Sequence, residues 1–138
     1  MSDPLSIGAS IIAVLQLTAT VINYLKDVHD APQDRIDLLV EISGLDGLLA
    51  ALQNRVQEAK SGDPWLTELQ PLGVKFGPLD QFNSDLKRLA SKLEPLTGLK
   101  QVKRRLTWKF DKIEINDILS KIERMKTLVT FALTNNLL

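Results

Sequence analysis

The chain has 138 residues, 17 basic and 17 acidic side chains and therefore no net charge, and 44% of its residues are hydrophobic. That length suits one domain with a real core, and the apolar content excludes a disordered chain. Cysteine is absent, which excludes a disulfide framework and any thiolate metal site.

Asp3-Pro4 reads as a helix start, with Asp able to cap free N–H groups and Pro favoured at the first helical position. From Pro4 to Leu25 there is no charge at all. The segment is apolar around most of its circumference, apart from a thin polar line of Gln16, Thr20, Asn23 and Asp27. Such a helix is either buried at the centre of a bundle or bound for a membrane. At 1.5 Å per residue it spans about 33 Å, close to the hydrocarbon thickness of a bilayer. Small residues recur at the four-residue spacing that lets membrane helices approach closely, Ala9 with Ala13 and Ser6 with Ser10. Against permanent spanning stand six polar residues inside it: Ser6, Ser10, Gln16, Thr18, Thr20 and Asn23. A secretory signal is not indicated, because the basic leading region and a cleavage site are both missing.

Asp30-Ala31-Pro32 breaks the chain ahead of a second helix, whose apolar seam Leu38, Ile42, Leu45, Leu49, Leu52, Val56, Ala59 steps alternately by four and three. Gly44 and Gly47 lie inside it, and their expected use is close approach by a neighbouring helix, the first above all. Ser61-Gly62-Asp63-Pro64 ends that helix, and Trp65 to Pro78 reads as a short helical turn and a loop. Leu79, Phe82, Leu86, Leu89 and Leu93 mark a third helix, closed by Pro95 and Gly98. A basic helical piece follows to about Phe110, then a long helix with Ile115, Ile118, Ile122, Met125, Val129 and Ala132 on its seam and Leu119, Leu128, Phe131 and Leu133 widening the face. No segment alternates with period two. The expected fold is all-α, a single-domain helical bundle over residues 1–138 of four main helices plus a short one, with helices at about 4–27, 32–60, 79–94, 99–110 and 113–135.

The residues offer no catalytic chemistry. The single histidine, His29, has no nucleophile beside it, and the seven glycines form neither a P-loop nor a dinucleotide-binding turn. Carboxylate pairs such as Asp34/Asp37 and Glu114/Asp117 come without the histidines of a di-metal bundle site. No enzyme activity, cofactor or metal is expected.

Charge is uneven along the chain: residues 1–98 carry 13 acidic and 8 basic side chains, residues 99–138 carry 4 and 9. Lys100, Lys103, Arg104, Arg105, Lys109 and Lys112 cluster around Trp108. Cations beside an interfacial aromatic suit anionic lipid headgroups. The plainer reading is a solvated helix face with Trp108 and Phe110 anchored in the core, and attraction between two halves of one bundle. Nucleic acid is not an expected partner, given the zero net charge and the shortness of the cluster.

With these segments in order, the chain resembles the fungal HeLo-like N-terminal domains that precede STAND receptor modules and ankyrin arrays. The matching residues are Asp3 to Ile7 with Ala9 to Ile12, Tyr24 to Val28, Asp30-Ala31-Pro32, Leu45 to Leu49, Gly77-Pro78-Leu79, Lys92 to Pro95, Leu106 to Phe110 and Ile122 to Lys126. Where the family has Trp-Pro-Phe, this chain has Lys109 between Trp108 and Phe110. HeLo-like domains are related to the HeLo domain of the HET-S incompatibility protein. The resemblance implies a cell-death effector of fungal innate immunity or heterokaryon incompatibility, cytoplasmic at rest and at the plasma membrane when oligomerisation activates it. It further implies a downstream nucleotide-binding oligomerisation, ankyrin or amyloid-motif module. On this reading Leu5, Gly8, Ala9, Ile12, Ala13 and Leu17 form the membrane-targeting helix, and Lys100, Lys103, Arg104, Arg105, Trp108 and Lys109 an anionic-lipid patch. The alternative function is a non-lytic protein-interaction adaptor.

Overall fold

A computed structural model of the protein describes residues 4–27, 32–93 and 110–134. Among these residues every regular element is an α-helix: α1 (Pro4–Lys26), α2 (Gln33–Glu58), α3 (Pro64–Gly73), α4 (Pro78–Leu93) and α5 (Lys112–Thr134). The expected helix over 99–110 lies outside the described residues, as does His29.

The four long helices form a ring in which α1 packs on α2 and α4, and α5 packs on α2 and, over a smaller area, on α4. Their seams explain why. Leu38, Ile42, Leu45, Leu49 and Leu52 of α2 are fully buried, and Leu79, Phe82, Leu86, Leu89 and Leu93 of α4 nearly so. Helix α5 contributes Ile115, Ile122, Met125 and Val129, and α1 contributes Ile7, Ile11, Val14, Val21 and Leu25. Residues three and four apart share one helical face, so each seam faces the common core.

The ten-residue helix α3 stands where the sequence suggested a short helical turn and a loop. Its start is strongly determined: the Asp63 carboxylate accepts the Trp65 N–H at 2.9 Å, and Pro64 occupies the first helical position. Pro71 lies inside the helix and removes one backbone i→i−4 bond, a loss that the burial of the helix's apolar side chains outweighs. Trp65, Leu66, Leu69 and Leu72 are buried. The Trp65 indole N–H donates to the Ala132 carbonyl at 2.9 Å, and the Arg55 guanidinium stacks 4.2 Å from the Trp65 ring centre. Helix α3 thereby closes the end of the bundle shared by the start of α1 and the ends of α2 and α5.

Two further expectations are corrected. Gly44 and Gly47 do not admit α1. A side chain at Gly44 would meet only Lys126 of α5 at 3.6 Å, and one at Gly47 would meet nothing within 4 Å. Both are exposed, and α1 is met instead at Asp46, Gln53 and Val56 of α2. Phe131 does not widen the core face of α5; it is 67% exposed. The close approach that the glycines of α2 were expected to provide occurs at Gly73, whose missing side chain leaves room for Ile7 Cδ1.

Charge asymmetry has a structural counterpart. Lys112 bonds Asp34 at 2.7 Å, Lys126 bonds Glu41 at 2.6 Å and Lys121 bonds Asp85 at 3.3 Å. Cations of the last helix thus meet acids of α2 and α4, and the hydrogen bond with Asp34 raises the Lys112 pKa.

Candidate membrane-engaging helix

Helix α1 is neither central nor free. Its inner face, Ile7, Gly8, Ile11, Val14, Thr18, Val21 and Leu25, is buried, while Ser6, Ala9, Ile12, Gln16, Ala19 and Asn23 face solvent. The stretch Ser6–Lys26 is long and apolar enough to cross a membrane by length and composition, and 33% of its most apolar window is buried in the bundle. Burial in a soluble core satisfies the same length and composition, so the outer face is what separates the two uses. An outward helix face normally carries charge, and this one carries none through Leu25.

The expected membrane-targeting residues divide between the faces. Ala9 and Ile12 point outward, with Ile12 42% exposed; Ala13 and Leu17 are half-buried at the margins. Gly8 is buried against α2, where an added Cβ would lie 3.4 Å from Gln53 Nε2 and 3.8 Å from Val56 Cγ1. The Leu5 side chain lies outside the described residues, and so do Lys100, Lys103, Arg104, Arg105, Trp108 and Lys109. Phe110 is half-buried against the core beside Lys92, whose ammonium is 4.7 Å from its ring centre.

The polar groups of α1 are largely satisfied within the helix. Ser10 Oγ donates to the Ser6 carbonyl at 3.4 Å and Thr20 Oγ1 to the Gln16 carbonyl at 3.1 Å. Hydroxyls turned back on their own helix need no water, in a bundle or in lipid. Thr18 is different. Wholly buried, its hydroxyl donates to Asp46 Oδ1 of α2 at 2.7 Å and lies 2.9 Å from the Leu15 carbonyl. At its far end, α1 is held by Arg35, whose Nη1 donates to the Leu25 carbonyl at 2.9 Å.

Sequence reasoning listed Thr18 among the polar residues of α1 and did not single out its contact with Asp46. A signal existed: Thr18 interrupts the apolar series Val14, Val21, Leu25, and Asp46 follows Leu45 in the α2 seam. A buried hydroxyl and a half-buried carboxylate on neighbouring helices are natural partners, because a buried polar group without a partner is costly.

An open cleft of about 510 Å³ separates α1 from the α3–α4 connection, with Ala9, Ser10 and Ala13 on one wall and Gly73, Val74 and Lys75 on the other. Among the described residues no group of His, Cys, Asp or Glu side chains is arranged to hold a metal ion. Comparison of the chain with protein-family models, curated proteins and solved structures returns no match.

Proposed function

We propose that this bundle is a membrane-targeting effector domain of the cell-death type, which oligomerisation activates and in which α1 is the membrane-active element. The observation that carries the reading is the outer face of α1. A helix long enough to span a bilayer lies on the bundle surface and shows solvent Ala9, Ile12, Gln16, Ala19 and Asn23, with no charge among them. Leaving the bundle for lipid exposes no ionised group to hydrocarbon, where each would be costly. The hydroxyls of Ser10 and Thr20 already bond the helix backbone. The resemblance to HeLo-like domains supports the same reading and supplies its setting: a fungal immunity or incompatibility protein, cytoplasmic at rest and at the plasma membrane when active.

The test is dye release from vesicles containing anionic lipid, with the folded wild-type chain fused to an inducible dimeriser. Release that rises on dimerisation is the expected result. Intact vesicles at every concentration, dimerised or not, overturn the proposal.

A second reading, the non-lytic adaptor, is favoured by one observation. The outer face of α2 presents Ile36, Val40, Ser43, Gly47, Ala50 and Asn54, all solvent-facing and uncharged. An adaptor docks a partner helix on such a face without touching lipid. Salt-sensitive co-sedimentation with anionic vesicles separates the two, because only the membrane effector shows it.

A further inference from the structure

The α3–α4 connection holds a strained aromatic side chain at its tip. Gly77 N–H donates to the Val74 carbonyl at 2.8 Å, closing a four-residue turn over 74–77. Phe76 sits at the third position with φ 64, the only non-glycine residue with positive φ among the described residues. That position of such a turn belongs to glycine or asparagine, and a bulky side chain there is a genuine outlier. The conformation is over-determined. Asp80 Oδ2 accepts the Phe76 N–H at 2.9 Å, and Gln81 Nε2 donates to the Phe76 carbonyl at 2.8 Å. Gly77 is fixed as well: an added Cβ would lie 2.8 Å from Val74 Cγ2 and 2.9 Å from the Val74 carbonyl oxygen.

The strain does not serve the core, because Phe76 is 74% exposed and Val74 48% exposed. Strain maintained by its surroundings points to use at that site. Two apolar side chains this exposed at the tip of a turn can enter a partner. Exposed Lys75 stands between the two apolar residues, its ammonium 5.5 Å from the Phe76 ring centre. Exposed Arg124 lines the adjoining cleft with Phe76, Phe82 and Met125, where the one carboxylate, Asp85, is paired with Lys121 at 3.3 Å. Asp80 directs its carboxylate onto the Phe76 N–H. An apolar wedge with cations at its shoulders matches the depth profile of an anionic lipid surface, with acyl chains below and phosphates above.

We infer that Val74, Lys75 and Phe76 form a docking wedge for anionic lipid, which makes first contact and delivers the outer face of α1 to the same surface. Val74 and Lys75 line the cleft opposite Ala9 and Ala13, so the wedge and the first half of α1 share one end of the bundle. The inference deepens the membrane reading and rests on it. It assigns docking and permeabilisation to different residues.

The experiment is flotation of the full chain with phosphatidylcholine vesicles, with and without phosphatidylserine, beside Phe76→Gly and Lys75→Glu. Glycine adopts the Phe76 backbone freely, so Phe76→Gly keeps or raises the melting temperature. Losing the ring that would enter the lipid should weaken binding to the phosphatidylserine vesicles about tenfold or more. Lys75→Glu should weaken it too, by an amount that shrinks with added salt. Phe76→Gly binding as tightly as wild type overturns the wedge. A wild-type chain that binds neither vesicle overturns it in favour of a protein groove as the target of the tip.

A second arm keeps this result separate from the permeabilisation reading. His-tagged chains fused to the inducible dimeriser and held on nickel-chelating vesicles bypass docking, and dye release is measured there after dimerisation. Phe76→Gly should then release dye as wild type does. Equal loss of release in the tethered assay would make Phe76 part of the permeabilising element and overturn the division of labour. Tethered wild type that releases nothing, with Phe76→Gly still failing to float, removes the permeabilisation reading and leaves the wedge standing.

Discussion

Thr18 donates its hydroxyl hydrogen to Asp46 at 2.7 Å across the α1–α2 interface, at a point where Thr18 is wholly buried. With the Arg35 bond to the Leu25 carbonyl at the far end, the contact gives α1 a polar fastening in a face held mainly by dispersion and burial. Removing it loosens the helix without changing its apolar surface. Thr18→Val keeps the shape and deletes the donor, and it should lower unfolding free energy by about 1–2 kcal/mol, since a bond to a carboxylate is stronger than a neutral one. Urea denaturation reads the loss, and amide exchange should locate it in α1. An unchanged midpoint would mean that Thr18 does not fasten the helix.

The two faces of α1 predict opposite tolerances at adjacent positions. Ile11 is fully buried and Ile12 is 42% exposed. Ile11→Ala should cost about 2–5 kcal/mol, and Ile12→Ala less than about 1 kcal/mol. Thermal denaturation of the pair checks the orientation of the helix directly; equal losses would show that α1 is rotated from the position described.

Two glycines should respond with opposite signs. Gly47 lies mid-helix with open space around it, so Gly47→Ala should stabilise by about 0.5–1 kcal/mol. Gly73→Ala puts a methyl group against Ile7 Cδ1 and should destabilise, with increased exchange of the first turns of α1 as its signature. Melting temperatures moving in the same direction would contradict the packing of α3 on α1.

The start of α5 predicts a dependence on pH. Asp111 Oδ1 accepts the Glu114 N–H at 2.8 Å while Glu114 Oε1 accepts the Asp111 N–H at 3.0 Å, a reciprocal cap. Lys92 of α4 bonds the other Glu114 oxygen at 2.5 Å. The hydrogen bond from Lys92, followed by that from the Asp111 backbone, holds the Glu114 pKa below its ordinary value of 4.5. The unfolded chain therefore binds the proton more readily. The stabilisation from Glu114 is complete above its unfolded pKa and is lost as pH falls through the lower folded one. Glu114→Gln should flatten the acid limb of a stability–pH curve and leave its slope above pH 6 unchanged, about two units beyond a free carboxyl. An acid limb identical to wild type would contradict the assignment.

Much of the fold was legible because the helices carry narrow, regular seams. The steps from Leu38 to Val56 and from Leu79 to Leu93 name buried residues without exception. Helix α3 was legible only as a short helical turn: Pro71, Gly73 and Gly77 lower local propensity, and the buried side chains of Trp65, Leu66, Leu69 and Leu72 override it. The role of Gly47 and the exposure of Phe131 were equally hidden. Each depends on which neighbour occupies a given side of the helix, and a single periodic pattern does not state that. At the candidate site, the uncharged run from Pro4 to Leu25 was plain in the sequence, but the division between Gly8 inside and Ile12 outside needed the bundle. The strained turn at Phe76 left one trace, two apolar residues around Lys75 just before Gly77.

The central claim is that the outer face of α1 enters lipid, and Ile12→Asp tests it most directly. Ile12 is exposed in the bundle, so a carboxylate there should leave the fold intact, as circular dichroism and melting temperature will show. Ile36→Asp, on the outer face of α2 with Ile36 39% exposed, is the matched control. The membrane account predicts that Ile12→Asp, folded and dimerised, loses dye release from anionic vesicles while Ile36→Asp retains it. Undiminished release by folded Ile12→Asp would contradict the account.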